Sequence, residues 1–409
     1  MLSASTKRWS VAAAALAAAV VGGTIIGSAL AGNGGRPDPS SIAGPGDPRS
    51  APPSSSPMAA SPTPSASPTP SATAVPTPSP TPTPAPTPAP VRAPLTGRMV
   101  RPDVAGRKVI AVMIDDHPDA RPQSGFSAAA VVWHAPAEGG VPRYMLLFQD
   151  RVPESVGPVR SARYYYIGWA AEWNAVYGHV GGSPEALRTL REAGNGELVY
   201  NADEFRWGGT YFWRTTDRFA PHNVYTDGKA LRRMADRIGA EDGEAPEPVW
   251  TFAPPEPIRE RPEGTSIQVR YKYNTVTYDY DRVSNTYLRS VSGEGEQVDQ
   301  GTGARVAPRN VVVMLMRFGP LGDGAGKDRQ EADFIGEGVV YVSTNGVTRK
   351  GIWRKESLTG PTRFFDSDDR PLALTPGQTF IQVMPIGSAV TLTKGTLVPV
   401  IDVKGPEVQ

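Results

Sequence analysis

Short apolar runs separated by polar turns begin near residue 99 and continue almost to the end of the chain. In the first half of this region, runs rich in β-branched and aromatic residues predict strands at 108–114, 129–134, 143–149 and 175–180. Apolar residues at helical spacing predict helices at 158–172, 184–193 and 227–238, the last with Thr226 as its N-cap and Gly239 as its C-terminal stop. Alternating strands and helices are typical of a layered α/β domain, which we place at 99–245.

The second half of the region alternates apolar and polar residues with a period of two. Strands are predicted in TSIQVRYKYNTVTYDYD, NVVVMLMRF, GVVYVS, VTRKGIWRK and TFIQVMP. The intervening segment EAPEPVWTFAPPEP, residues 244–257, is rich in proline and predicts a linker. The pattern therefore predicts a second, mostly β domain at 250–405.

The N-terminal segment has a different pattern. Residues 1–8 carry Lys7 and Arg8, and residues 9–31 carry no charge. At about 1.5 Å per residue, a helix of this length spans a bilayer core of about 30 Å. The positive-inside rule then places residues 1–8 in the cytoplasm and the folded region outside, anchored to the cell membrane. A cleaved signal peptide is the alternative, since Ala29-Leu30-Ala31 fits a cleavage site and cleavage would secrete the protein.

Residues 32–98 consist largely of Pro, Ser, Thr and Ala in near-repeats such as SPTPSASPTPS. Proline fixes φ and removes a hydrogen-bond donor, and the segment has too few apolar side chains to form a core. We therefore predict a disordered linker that holds the folded region away from the membrane.

Composition excludes several classes of protein. Across 409 residues the formal net charge is +1, which argues against nucleic-acid binding. The chain has no cysteine, so it has no disulfide, thiol nucleophile or lipid-modified cysteine. No H-E-x-x-H, EF-hand or G-x-S-x-G motif is present. We accordingly predict no cofactor and no metal.

The stretch AVMIDDHPDARPQSGF carries the first candidate site. Its predicted strand ends at Asp115, Asp116 and His117, and Arg121 follows in the same loop. Polar side chains just beyond the carboxyl end of a strand lie where open α/β sheets bind ligands. Prolines stiffen the loop, which suits both a preorganised site and a structural turn.

A second candidate is HVGGSPEA, where Gly181 and Gly182 precede a helix that Ser183 caps. Backbone amides at a helix N-terminus bind anions, although an ordinary strand–turn–helix has the same sequence. A third candidate is the predicted helix at 158–172, which places Arg160 and Arg163 on one face, facing solvent or a cleft.

Catalytic roles have fewer candidates. Glu138, in the loop HAPAEGGVPR, and Asp115 supply carboxylates for acid/base chemistry. His179 and His222 supply imidazoles, and Asn223 follows His222 at the end of a long polar and aromatic loop.

Five motifs occur in an order that resembles the YerB-like family of bacterial cell-surface proteins. They are MIDDHPDARPQSG, AEGG, GPVRSAR, HVGGSPEA and APHNVY. The resemblance implies a two-domain extracytoplasmic module that is often carried as a lipoprotein, and it implies no catalytic residues. The absence of cysteine in this chain means that a transmembrane or signal segment replaces the lipid anchor.

Three functions remain open. The first is a cell-envelope binding module for an anionic or glycan ligand, such as a wall polymer or a lipid-linked phosphate. The second is a hydrolase or transferase that acts on cell-wall glycans or phosphodiester polymers. The third is a protein-interaction scaffold whose β domain is the partner surface.

Overall fold

A computed structural model describes residues 88–324, 326–393 and 401–402. The predicted membrane segment at 9–31 and the linker as far as residue 87 lie outside these residues. Among the described residues, no helix is both long and apolar enough to cross a membrane.

Strand structure is already present before Met99, the residue at which the sequence predicted that the folded region begins. The first strand, β1 (Val91–Arg92), pairs with β2 (Met99–Val100). Between them Ala93 and Leu95 are fully buried, and Leu95 joins the main core. Apolar burial therefore fixes residues whose proline-rich neighbourhood indicated disorder.

The helices of the described region are short. They are α1 (Pro102–Ala105), α2 (Tyr164–Ala171), α3 (Pro184–Glu192), α4 (Glu204–Trp207) and α5 (Gly228–Arg237). Single 3₁₀ turns lie at Pro118–Ala120, Glu138–Gly140 and Ile258–Glu260.

The described residues contain more strand than helix. In the first half the further strands are β3 (Ile110–Asp115), β4 (Val131–Pro136), β5 (Pro142–Phe148), β6 (Val176–His179), β7 (Tyr200–Asp203), β8 (Trp213–Arg214) and β9 (Val224–Tyr225). In the second half they are β10 (Ser266–Arg270), β11 (Thr275–Asp281), β12 (Thr286–Val291), β13 (Gly295–Glu296), β14 (Asn310–Met316), β15 (Phe318–Pro320), β16 (Gln330–Ala332), β17 (Gly336–Thr344), β18 (Val347–Lys355), β19 (Arg363–Phe365), β20 (Thr379–Pro385), β21 (Val390–Thr393) and β22 (Ile401–Asp402).

The helix predicted at 158–172 is wrong over its first six residues. Residues 158–163 are not helical, and the backbone amide of Arg160 donates to the carbonyl of Met113 while Val159 bridges Ile114. Pairing with the end of β3 thus overrides local helical spacing. Arg160 and Arg163 are consequently not i,i+3 neighbours on a helix.

The predicted N-cap of the last helix is also wrong by one residue. The carboxylate of Asp227 accepts a hydrogen bond from the amide of Ala230, so Asp227 is the N-cap of α5. Thr226 donates its hydroxyl to the carbonyl of Tyr211 instead. Gly239, the predicted C-terminal stop, follows the helix with a φ of +74°. This left-handed conformation is common for glycine at the end of a helix.

Strands from both halves of the chain form one ten-stranded sheet. Its order is β19-β18-β17-β14-β20-β4-β5-β3-β6-β7. The halves meet where β20 pairs in parallel with β4, from Thr379 opposite Val131 to Gln382 opposite His134. A second sheet of order β13-β12-β11-β10-β21-β22 belongs to the C-terminal half.

Both faces of the large sheet are covered. Along β3, Ala111 and Met113 belong to one core cluster, whereas Val112 and Ile114 belong to another. The first cluster includes residues of α2 and α3, and the second includes residues of α5 and β10–β12. Burial on both faces explains why the central strands read as unbroken apolar runs.

The predicted linker at 244–257 packs against the C-terminal half. Trp250 is buried, and its indole donates to the carbonyl of Thr362 at 2.9 Å. Phe252 forms a β-bridge with Leu374. This segment therefore connects the two halves as part of the fold and does not separate them.

Candidate functional site

The candidate residues gather at one edge of the large sheet. β3, β6 and β7 run parallel to one another, and β5 runs antiparallel between β3 and β4. The carboxyl ends of β3, β4, β6 and β7 therefore lie at the edge where β5 begins. This is the position at which α/β sheets bind ligands.

Asp115, the last residue of β3, is the centre of the site. Its side chain is buried, and its Oδ2 lies 2.8 Å from Nδ1 of His222 and 2.8 Å from Nε of Arg160. Its Oδ1 accepts from the backbone amide of His117 at 3.1 Å and lies 3.4 Å from Nη1 of Arg143. Burial opposes ionisation, but Arg143 and Arg160 outweigh it and lower the pKa of Asp115.

Glu138, in the turn between β4 and β5, is the second carboxylate of the site. Its Oε2 lies 2.9 Å from Nη2 of Arg143 and also contacts Arg163, while its Oε1 contacts Arg329 at 3.3 Å. Burial opposes ionisation, but the charges of Arg163 and Arg143 lower the pKa of Glu138 to about 2. Arg329 also pairs with Asp323, so its charge is balanced separately.

Asp115 and Glu138 are therefore ionised at neutral pH and held by arginines. A general acid needs a raised pKa, so the geometry does not favour either carboxylate as a proton donor.

We call the group formed by Asp115, Glu138, Arg143, Arg160 and Arg163 the arginine–carboxylate cluster. Three guanidinium groups in it face two carboxylates. Burial is the main cause that lowers the pKa of Arg160 and of Arg163. The positive charge of Arg143 lowers both further. The cluster thus carries positive charge that its own carboxylates do not balance.

Arg160 is the most exposed guanidinium of the cluster, with 22% of its side chain accessible. Arg143 and Arg163 are buried. Among the described residues, the one carboxylate that pairs with Arg160 is Asp115, whose Oδ2 lies 2.8 Å from Nε.

Two histidines lie beside Arg160. The rings of His117 and His222 stack with centroids 4.7 Å apart and planes 18° apart. His117 follows β3, and His222 belongs to the loop between β8 and β9. Their meeting brings together two motifs that are distant in the sequence.

The side chains of Asp116 and Arg121 are engaged by partners within the protein. The buried carboxylate of Asp116 contacts His134 at 3.0 Å, Arg121 at 2.9 Å and Asn274 at 3.2 Å. Arg121 pairs with Asp116 and with Glu294. Both residues instead connect the loop after β3 to the second sheet.

The predicted anion site at Gly181, Gly182 and Ser183 is filled by the chain itself. The Gly181 amide donates to Asp203 Oδ1 at 3.0 Å, and the Ser183 amide donates to the carbonyl of Ala162 at 3.2 Å. Gly182 forms a β-bridge with Ala162, and Ser183 caps α3 as predicted. The geometry therefore leaves little for an external anion here.

His179 and Asn223 have structural partners as well. The buried ring of His179 lies 2.8 Å from the carbonyl of Gly181 and 2.8 Å from Oδ1 of Asn201, which engages both nitrogens. Asn223 donates to the carbonyl of Thr215 and accepts from Arg214 within its own loop. Of the predicted residues, Asp115, Glu138, Arg160, Arg163, His117 and His222 come together, while His179 bonds to neighbours outside the cluster.

Sequence reasoning missed Arg143 and Arg329. Arg143 is the one charged residue in the otherwise uncharged strand PRYMLLF, and it lies directly opposite Asp115 in the sheet. A charge in a buried strand needs a partner, so this signal was present in the sequence. Arg329 comes from the C-terminal half, and no local pattern connects it to Glu138.

Two family models match the chain. The one described as "Protein of unknown function (DUF3048) N-terminal domain" matches residues 95–241. The one described as "Protein of unknown function (DUF3048) C-terminal domain" matches residues 267–381. They confirm that the folded region has two parts.

A relative and a solved structure match both parts. The chain is 31% identical over 308 residues to "Putative lipoprotein YerB" of Bacillus subtilis (strain 168), covering 74% of this chain and 88% of that relative. The crystal structure of the YerB protein from Bacillus subtilis has a TM-score of 0.66 and 29% identity, and covers 74% of this chain and 100% of that one. These matches confirm the resemblance that the five motifs indicated.

Proposed function

The chain belongs to the DUF3048 family of YerB-like proteins, and from this premise we propose that it is an extracytoplasmic binding module. Its ligand is an anionic group, a phosphate or a carboxylate, carried by a polymer of the cell envelope. The site is the arginine–carboxylate cluster at the sheet edge, with Arg160 as the residue that meets the ligand.

The proposed location rests on the N-terminal sequence and on the relative. Residues 9–31 are uncharged and follow Lys7 and Arg8, which is typical of an anchor with its bulk outside the membrane. The relative is named a putative lipoprotein, a class of protein attached to membranes through lipid. Because this chain has no cysteine, we propose that residues 9–31 take over the attachment.

One observation carries the proposal: Arg160 is the most exposed guanidinium of the cluster, with 22% of its side chain accessible, and its contact with Asp115 holds it at the sheet edge. A guanidinium fork binds carboxylate and phosphate oxygens through two parallel hydrogen bonds. The buried charges of Arg143 and Arg163 raise the local positive potential. A bound anion would offset the positive charge of the three arginines that Asp115 and Glu138 do not balance.

Aromatic side chains near the site favour a glycan-bearing polymer. Phe219 is 91% exposed and lies three residues before His222, and Trp213 is exposed in the same loop. Exposed aromatic faces in a loop beside a charged site offer apolar surfaces on which sugar rings pack. The ligand class that fits both features is an anionic glycan.

A second candidate function is hydrolysis or transfer on the same polymers. The contact between His222 Nδ1 and Asp115 Oδ2 has the form of an imidazole oriented by a buried carboxylate. This arrangement would leave Nε2 of His222 as a general base. If His222→Gln abolishes turnover of phosphodiester-containing wall fragments but preserves their binding, this candidate replaces the simple binding module.

Isothermal titration of the full-length protein with inorganic pyrophosphate tests the binding proposal. Pyrophosphate supplies the anionic chemistry without a sugar. We expect binding that weakens with salt, and at least a tenfold loss in Arg160→Gln, which is about 1.4 kcal/mol. The control Arg101→Gln removes an exposed guanidinium from another part of the surface and should bind as the wild type does. Equal affinity in Arg160→Gln and wild type would overturn the proposal.

A further inference from the structure

We propose that His117, Asp119 and His222 form a binding site for one divalent transition-metal ion such as Zn²⁺. The potential ligand atoms of these three residues all lie within 4.8 Å of one another. Two imidazoles and one carboxylate are a common ligand set for Zn²⁺ and Fe²⁺. This inference does not rest on the proposed anion binding.

Two of the ligands are already placed at metal-binding separation. Nδ1 of His117 lies 3.5 Å from Oδ2 of Asp119. Ligands about 2.0–2.1 Å from a tetrahedral Zn²⁺ are about 3.3 Å apart, so this pair needs little adjustment. Nδ1 of His117 now accepts a long hydrogen bond of 3.3 Å from the Asp119 amide, which metal binding would replace.

The third ligand is oriented by a buried partner. Asp115 Oδ2, 2.8 Å from Nδ1 of His222, fixes the ring and leaves Nε2 for an ion. Metal-binding histidines usually donate their second nitrogen to a carboxylate in this way, and the carboxylate increases the basicity of the ligand nitrogen. Asp115 is fixed in turn by Arg160, Arg143 and the His117 amide. This buried support is an observation independent of the cluster of three ligands.

Access and charge are both compatible with an ion. The side chains of His117 and Asp119 are 41% and 74% exposed, and that of His222 is 14% exposed. A cavity of about 260 Å³ lies against His117 and gives room for water or a ligand oxygen as a fourth partner. Arg160 disfavours a nearby cation, while the negative charges of Asp115 and Asp119 offset it.

The ligand types also define which ions fit. Imidazole nitrogen suits Zn²⁺, Ni²⁺ and Fe²⁺, whereas Ca²⁺ and Mg²⁺ require sets of oxygen ligands. We therefore expect Zn²⁺ to bind and Mg²⁺ not to compete. The ligands come from two loops that are distant in the sequence, which is why no linear motif predicted a metal.

The test is titration of full-length protein, stripped with a chelator, with ZnCl₂ in the absence of any phosphate. We expect one ion per chain and X-ray absorption spectra that show imidazole ligation. Asp119→Asn and His222→Gln should each weaken binding at least tenfold, and Asp115→Asn should weaken it 10- to 100-fold. Asp119 is exposed, so Asp119→Asn tests the site without disturbing the buried network.

Asp217→Asn is the matched control, because Asp217 is an exposed carboxylate in the loop that carries His222. It should bind Zn²⁺ as the wild type does. Absence of Zn²⁺ binding, or equal binding in wild type, Asp119→Asn and His222→Gln, would overturn the inference. Neither result affects the pyrophosphate titration, so the two proposals fail separately.

Discussion

Nδ1 of His222 lies 2.8 Å from Oδ2 of Asp115, across 107 residues of sequence. The same carboxylate oxygen lies 2.8 Å from Nε of Arg160. One buried oxygen therefore contacts both the imidazole of His222 and the guanidinium of Arg160. The geometry of both groups depends on the charge of Asp115.

The first prediction concerns that charge. Asp115→Asn keeps the shape of the side chain but leaves Arg143 and Arg160 without their shared carboxylate. Breaking a buried ion pair in this way costs about 3–5 kcal/mol, which urea denaturation would measure as a lower free energy of unfolding. Asp103→Asn removes an exposed partner of Arg101 and should cost less than about 1 kcal/mol. Equal losses in the two variants would contradict this assignment.

The second prediction is acid destabilisation. In the folded protein the pKa of Asp116 is lowered from 3.8 to about 2, because His134 and Arg121 outweigh its burial. A lowered folded-state pKa stabilises the protein above the unfolded pKa, and this stability is lost as the pH falls towards 2. For Asp116 the loss is about 2 kcal/mol, at about 1.4 kcal/mol per pKa unit. Burial also lowers the pKa of His134, which adds to the loss on acidification below 6.5.

A variant of Glu138 tests the predicted acid destabilisation, since the pKa of Glu138 is also lowered to about 2. The free energy of unfolding of Glu138→Gln should depend less steeply on pH between 5 and 2.5 than that of the wild type. Glu154→Gln, which changes an exposed carboxylate outside the cluster, should show the wild-type slope. A wild-type stability that stays constant down to pH 3 would refute the prediction.

The third prediction concerns an ion pair between the two halves of the chain. Nζ of Lys355 in β18 lies 2.9 Å from Oε1 of Glu172 after α2, and both side chains are fully buried. Lys355→Met leaves Glu172 without a counter-charge and should lower the free energy of unfolding by about 3–5 kcal/mol. The double variant Lys355→Met with Glu172→Leu should recover most of that loss. A single variant within about 1 kcal/mol of wild type would show that the pair does not operate as described.

The fourth prediction follows from the shared sheet. Since β4 and β20 are neighbouring strands from different halves, we expect both halves to unfold together. Tryptophan fluorescence and far-UV circular dichroism should therefore give coincident urea transitions. Two separated transitions would mean that each half folds independently of the other.

The sequence predicted elements better than their assembly. Strands β3 to β6 and the long strands of the second half were expected near their observed positions, because burial on one or both faces leaves a clear apolar pattern. The helix at 158–172 was expected six residues too long, since pairing of Val159 and Arg160 with β3 depends on contacts distant in sequence. The insertion of β20 beside β4 has no local signal at all.

The candidate site was only partly predictable for the same reason. Asp115, Glu138 and His222 were selected by residue type and position at a strand end or in loops, and Arg160 was selected as part of a predicted helix. Residue types alone could not show that the carboxylate of Asp203 accepts from the Gly181 amide. They also could not show that Asp116 contacts Asn274 beside the second sheet. Both contacts depend on tertiary packing, which brings together residues that are distant in the sequence.

The most direct test of the central claim is a crystal structure of the protein with tungstate, a heavy analogue of phosphate. We predict anomalous density within hydrogen-bonding distance of the terminal nitrogens of Arg160, and loss of that density in Arg160→Gln. Tungstate bound elsewhere, or no density at the arginine–carboxylate cluster at saturating tungstate, would contradict the claim that this cluster binds anions.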